Sequence, residues 1–180
     1  LFRSATTATM IVFGNGDLAV SSYLLAGGGL VKGGAGNMTL SNPMFVTGTH
    51  VINQGTLTLN SAADNTIVVN PTATAVGLQA LSLNGGTLDI NGRNQAVGVL
   101  ASNNPLPGTG GTLTNTSGTA ATFTTSGTGT FGGVINGNLG FTRSGNTTTT
   151  LTSNNTYSGA TIIRGGVLQL RDAGAITPTG

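Results

Sequence analysis

Apolar residues in this chain alternate with polar ones in short runs, and the runs break at glycine or asparagine. Thr56-Leu57-Thr58-Leu59-Asn60 places Leu57 and Leu59 on one side. Ala80–Gly92 does this twice, with Leu81 and Leu83, then Leu88 and Ile90. Val167–Leu170 repeats it with Leu168 and Leu170. A period of two in Thr, Val and Leu is the pattern of half-buried strands. The breaks at Asn84-Gly85-Gly86, Asn91-Gly92, Asn136-Gly137 and Gly165-Gly166 supply the backbone freedom that tight corners need. No helical period persists beyond two turns, so the expected helix content is close to nil.

Composition narrows this further. Gly, Thr and Asn number 31, 32 and 18 of 180 residues, and charged residues are only 6%, against roughly 25% in a typical soluble domain. Glu, Cys and Trp are absent. Helical bundles and coiled coils, which depend on Ala, Leu, Glu, Lys and Arg, are excluded, as are disulfide frameworks and thiolate metal sites. Disorder calls for low hydrophobicity with high net charge, whereas this chain is 37% hydrophobic with a net charge of +2. Glycine lacks the strict third-residue period of collagen. The six basic residues, Arg3, Lys32, Arg93, Arg143, Arg164 and Arg171, are dispersed. Nucleic-acid binding wants a clustered basic face with stacking aromatics. No stretch approaches the roughly 18 apolar residues of a membrane span. The start, Leu1-Phe2-Arg3, carries neither Met nor a signal-peptide pattern, as expected of a processed product or an excerpt.

Laid over 140–170 without a gap, the stretch 29–59 is identical to it at nine of 31 positions. The identities are Gly29/Gly140, Gly34/Gly145, Thr39/Thr150, Leu40/Leu151, Gly48/Gly159, Ile52/Ile163, Gly55/Gly166, Leu57/Leu168 and Leu59/Leu170, and Lys32 falls on Arg143. Corner glycines and aliphatics in one frame point to a repeat array.

Within the second copy, Asn155-Thr156-Tyr157-Ser158-Gly159 and Gly165-Gly166-Val167-Leu168-Gln169-Leu170 carry a closer likeness. Ser144–Leu170 resembles the passenger-associated transport repeat, also called the autotransporter-associated β-strand repeat, of bacterial surface and secreted proteins. Gly85–Leu100 and Phe131–Gly145 are similar to the segments that precede such a repeat. The resemblance is strongest over 80–170 and weaker over 29–60, where Pro43-Met44-Phe45 replaces the Asn-Thr-Tyr portion. It implies an all-β chain folded as a right-handed parallel β-helix, a single β-solenoid domain over 1–180. Inward side chains of each coil stack on those of the next, which suits a chain with only eight aromatics. At about 20 residues per coil, seven to nine coils are expected. An antiparallel sandwich, with glycine turns every 8–12 residues, is the alternative.

The expected residue roles are structural. Gly48, Gly55, Gly85, Gly86, Gly159, Gly165 and Gly166 turn corners. Leu40, Ile52, Leu57, Leu59, Leu81, Leu83, Leu88, Ile90, Leu151, Ile163, Leu168 and Leu170 form core stacks. Residues 1–12 are a candidate N-terminal pairing strand. Neither end carries an evident cap, so the expected partners are other copies of the chain, end to end.

The inventory for catalysis is thin, and no catalytic residue, cofactor or metal is assigned. The acids are Asp17, Asp64, Asp89 and Asp172. A polysaccharide-cleaving β-helix needs two facing carboxylates. Asp64 with Asp89, separated by close to one coil of sequence, is the best pair; isolated turn aspartates are the plainer reading. His50, the one histidine, aligns with Thr161 and has no nucleophile elbow to serve. Gly14–Val20 resembles half of one calcium-binding nonapeptide, but occurs once. Gly27-Gly28-Gly29 and Gly33-Gly34 read as corners rather than phosphate loops. Asn37, Asn115, Asn146 and Asn154 head Asn-X-Ser/Thr sequons of the kind an Asn- and Thr-rich chain makes by chance. Tyr23 and Tyr157 are sugar-stacking candidates, with core packing as the plainer reading. The expected function is a non-enzymatic, extracellular, structural β-solenoid of a bacterial surface fibre or matrix. The alternative is an adhesin or autotransporter passenger fragment binding a glycan or protein through the irregular segment Ser102–Gly111.

Overall fold

A computed structural model describes residues 8–67 and 78–177, together with the backbone of the strand Phe2–Arg3. Strands and turns make up the described residues, with no helix among them. All of their strand pairs are parallel. The chain is a parallel β-solenoid of about 8 turns, each with three faces. At about 4.8 Å per turn the rod is about 38 Å long.

Face 1 carries Phe2–Arg3, Leu24–Ala26, Met44–Val46, Gln95–Val97, Ala121–Thr125, Leu139–Arg143 and Thr161–Ile163. In the fourth turn this face is joined through Thr66, which accepts from Met44 N, and Asn65, whose N donates to Asn94 O, both at 2.8 Å. Face 2 carries Met10–Phe13, Leu30–Gly33, His50–Ile52, Leu81–Leu83, Leu100–Ala101, Gly129–Phe131, Thr148–Leu151 and Val167–Leu170. Face 3 carries Leu18–Val20, Met38–Leu40, Thr56–Leu59, Thr87–Asp89, Thr112–Asn115, Val134–Gly137, Asn154–Asn155 and Ala175–Ile176. Of the pairing strand expected over 1–12, the described parts are Phe2–Arg3, paired with Leu24–Ala26, and Met10–Phe13, paired with Leu30–Gly33; residues 1 and 4–7 lie outside the described residues.

The alternation sends every second side chain inward, and the parallel register stacks those side chains along the axis. On face 3 the column runs Met38, Leu57, Leu88, Leu113, Ile135, each 1% exposed or less. On face 1, Phe123 stacks on Phe141 with centroids 6.4 Å apart, and Tyr157 packs against Phe141 at 6.3 Å. Leu40, Ile52, Leu57, Leu59, Leu81, Leu83, Leu88, Ile90 and Leu151 all lie in this core. The expected stack stops at the eighth turn. Ile163 and Leu170, in register with buried Arg143 and Leu151, are 56% and 45% exposed, and Leu168 is half-buried. Among the described residues they have an axial neighbour on one side only.

The two repeat copies make the same contacts. Asn53 N donates to Lys32 O and Arg164 N to Arg143 O; Asn60 N donates to Leu40 O and Arg171 N to Leu151 O. Yet the first copy begins on face 2 of the second turn and the second copy on face 1 of the seventh. The repeat is therefore a strand–corner unit that fits different corners of the same three-faced coil. Its invariant glycines have two uses. Gly48 and Gly159 lie so close to the previous turn that a Cβ would stand 2.5 and 2.7 Å from the backbone N of Gly29 and Gly140. Gly55 and Gly166 both hold φ at +68°, the left-handed region that side chains resist.

A Gly55→Ala substitution combines that strain with a Cβ placed 2.4 Å from Gly36 O. It should lower unfolding stability by more than about 2 kcal/mol, read from urea melts. Gly16→Ala, with nothing within 4 Å of its Cβ, should stay within about 0.5 kcal/mol of the parent.

Candidate functional site

The carboxylates serve as corner acceptors. Asp64 and Asp89 both lie by the corner between faces 3 and 1. Asp64 accepts from Asn94 N and Nδ2 at 2.9 Å. Asp89, buried, accepts from Asn91 N (2.9 Å), Thr116 N (3.2 Å) and Thr116 Oγ1 (2.5 Å). Asp17 takes Asn37 N of the next turn at 2.9 Å. Asp172 pairs with Arg171 at 3.2 Å on the surface, the one ion pair among the described residues. Asp17, Asp64 and Asp89 thus stitch one turn to the next, while Asp172 meets only its neighbour in sequence. No group of three or more potential metal ligands occurs among the described residues.

Asparagines extend the stitching. Asn84 Nδ2 donates to Asn53 Oδ1 and Asn91 Nδ2 to Asn60 Oδ1, one turn apart. Buried Asn115 donates to Thr119 O and Asn138 O and accepts from Gly92 N and Ser117 N. Buried Asn155 accepts from Ile135 N and donates to Ser153 O and Ala175 O. Of the sequon asparagines, Asn115 is therefore interior, while Asn37, Asn146 and Asn154 are not buried.

The tyrosines separate. Tyr23 is 47% exposed beside Phe45, with centroids 5.7 Å apart. Tyr157 is fully buried, and its hydroxyl shares a 2.6 Å hydrogen bond with Thr161, so it belongs to the core and not to a sugar-stacking surface.

Two cations and the histidine point inward, which the alternation alone did not distinguish from outward positions. Lys32 is 2% exposed and Arg143 fully buried, and neither has a carboxylate partner among the described residues. Lys32 Nζ donates to Gly33 O, Gly34 O and Gln54 O at 3.0, 2.8 and 3.1 Å. Arg143 Nη1 donates to Thr125 O at 3.2 Å, and Nη2 to Thr147 O and Thr147 Oγ1. In both copies the cation stands beneath the left-handed glycine of the next turn, Gly55 or Gly166. Corner carbonyl dipoles, converging where the backbone turns, take the place of a counter-ion. Burial lowers the pKa of both cations from their usual values. The lysine-arginine match in the repeat alignment was the available signal. His50 sits in the face 2 column between Leu30 and Leu81. Burial holds its imidazole down at about 4, with the Ile67 backbone acting in the opposite sense.

The segment between Leu100–Ala101 and Thr112–Asn115 leaves the coil on the corner between faces 2 and 3 and lies forward along the rod. Thr152 Oγ1 donates to Pro105 O at 2.6 Å, and Gly108 N donates to Ser153 Oγ at 2.9 Å, two turns further on. Its tip exposes Leu106 at 59%.

Lys32→Met keeps the apolar stem and strands three carbonyls. It should cost about 1–3 kcal/mol in urea unfolding. His50 gives a pH signature. Its folded pKa is about 4 against an ordinary 6.5, so protons bind the unfolded chain first. His50's contribution is complete above pH 6.5 and is lost as pH falls toward 4, by about 3 kcal/mol. The difference between parent and His50→Leu stabilities should show that slope over pH 4–6.5 and flatten above it.

The passenger-associated-transport-repeat family matches residues 30–66 and 141–170. The chain is 31% identical over 189 aligned residues to a protein named adhesin BmaC autotransporter, from Brucella suis biovar 1 (strain 1330). The alignment takes in 99% of this chain and 5% of that relative, so the chain spans about a twentieth of the relative's length. No solved structure matches it with significance. The matched segments are the two copies whose corner glycines, buried cations and inter-turn bonds coincide when 29–59 is laid over 140–170, and over these segments the chain carries passenger-associated transport repeats.

Proposed function

We propose that this chain is a non-enzymatic structural segment of a bacterial surface or secreted passenger, a rod that extends by adding coils at its ends. One observation carries the reading: parallel pairing links each turn to the next on at least two of the three faces, and among the described residues the strands of the first and last turns keep an unpaired edge beside apolar side chains. At the last turn these are Ile163, Leu168 and Leu170. At the first turn, half-buried Val12 and exposed Leu18 border an open cavity of about 230 Å³ floored by buried Met10, Leu24 and Met38. Such edges are templates for further strand pairing, and a head-to-tail contact that does not close yields a filament. For the isolated chain the next coil comes from a second copy. Asp17, Asp64 and Asp89 support a non-enzymatic reading, because they are committed to turn or inter-turn hydrogen bonds that a general acid or base would have to give up.

A second reading has its own observation. The relative is named an adhesin, and the segment 102–111 offers a fixed, exposed tip of the kind that binds a surface glycan or protein.

Sedimentation of the isolated chain tests the first reading. Oligomers should grow with concentration and disappear in an Ile163→Lys/Leu170→Lys variant, which sets two charges across the open end. Monomeric parent rods at micromolar concentration, or oligomers indifferent to the lysines, would contradict it.

A further inference from the structure

In a solenoid each turn ordinarily touches only its neighbours, so turns open one after another. The segment 102–111 departs from that rule. We infer that it is an axial clasp that locks the fourth to seventh turns into one cooperative unit. This inference goes beyond the rod reading and holds whatever pairs with the ends.

The clasp reaches from the fourth turn to the seventh. Ser102 Oγ donates to Leu83 O at 2.9 Å, and Asn103 N to Asn84 Oδ1 at 2.9 Å, in the fourth turn. Ser102 N donates to Thr130 O and Gly110 N to Gly132 O, in the sixth. Thr152 and Ser153 hold Pro105 and Gly108 from the seventh. Ser153 Oγ also donates to Gly132 O at 2.8 Å, joining the two anchor points. Within the segment, Thr109 Oγ1 donates to Asn104 O and Leu106 O, which fixes its shape before it reaches the seventh turn.

Gly132 makes the fit possible. A Cβ there would stand 2.5 Å from Leu106 O and 2.9 Å from Asn104 O, so the segment lies directly on this glycine. The sequence separations of the seventh-turn bonds, 45 and 47 residues, are about twice those between adjacent turns. Fraying that starts at the eighth turn must therefore break the clasp before it can detach the seventh.

Native-state hydrogen exchange of the full chain in rising, sub-denaturing urea tests this. Thr112 N, Val134 N and Thr152 N, which bond to Gly86 O, Gly111 O and Phe131 O, report the fifth, sixth and seventh turns. In the parent they should converge on one opening event, while Arg171 N, bonded to Leu151 O, exchanges earlier. Gly132→Ala and Thr152→Val should each speed exchange of the backbone amide at position 152, relative to its intrinsic rate, about tenfold and leave Thr112 nearly unchanged. Thr149→Val, which removes a hydroxyl bond to Gly127 O away from the clasp, should leave the three amides coupled. Independent opening of Thr152 and Thr112 in the parent would overturn the inference. So would continued coupling in both clasp variants, or uncoupling by Thr149→Val.

Discussion

Parallel backbone pairing along a single axis is the constraint on which the rest of this protein depends. Each turn supplies its N–H and C=O groups to the turns above and below, so the backbone satisfies itself without a helix or a closed barrel. The register that this pairing imposes also stacks side chains by kind. A Leu lands on a Leu in the column from Met38 to Ile135 because the same residue of each strand meets the same point of the next. A narrow core built this way asks for few large side chains, which is how a chain that is 4% aromatic keeps its interior filled.

The corners, not the faces, hold the polar chemistry. A turning backbone leaves carbonyls and amides that the ladder does not reach, and this chain meets them with short side chains: Asp64 and Asp89 on amides, Asn115 and Asn155 on both kinds of group. Where several carbonyls converge, a whole cation is enclosed, as Lys32 and Arg143 are. Desolvating a charge is costly unless its hydrogen bonds are replaced, and the corner supplies the replacements.

Much of this is legible in the sequence, for a physical reason. Alternation and corner glycines are local properties, so the all-β character, the repeat and most of the core leucines could be read from them. The family likeness then turned short strands into a solenoid. What could not be read depends on context along the axis. Ile163 and Leu170 have the same pattern as Ile52 and Leu59, but no described turn covers them. The Tyr157 ring could have faced either way, and Phe141 in the same turn draws it inward. Nor does laying 29–59 over 140–170 reveal that the copies occupy different corners, because the length of chain per turn varies. Val51 pairs with Val31 on one side and with the more distant Ser82 on the other. The Ser102–Gly111 segment read as an irregular loop, and its docking two turns away has no local signature.

The central claim is the axial register, and distances between spin labels on outward positions of face 2 measure it. Ile11, Ser82 and Thr130 lie on the first, fourth and sixth turns. Labels at Ile11 with Ser82 and Ile11 with Thr130 should lie about 14 and 24 Å apart, following about 4.8 Å per turn and not sequence separation. Val31 with Thr130, four turns apart, should give about 19 Å. Distances that fail to rise in proportion to the number of turns, as in an antiparallel sandwich, would contradict the account.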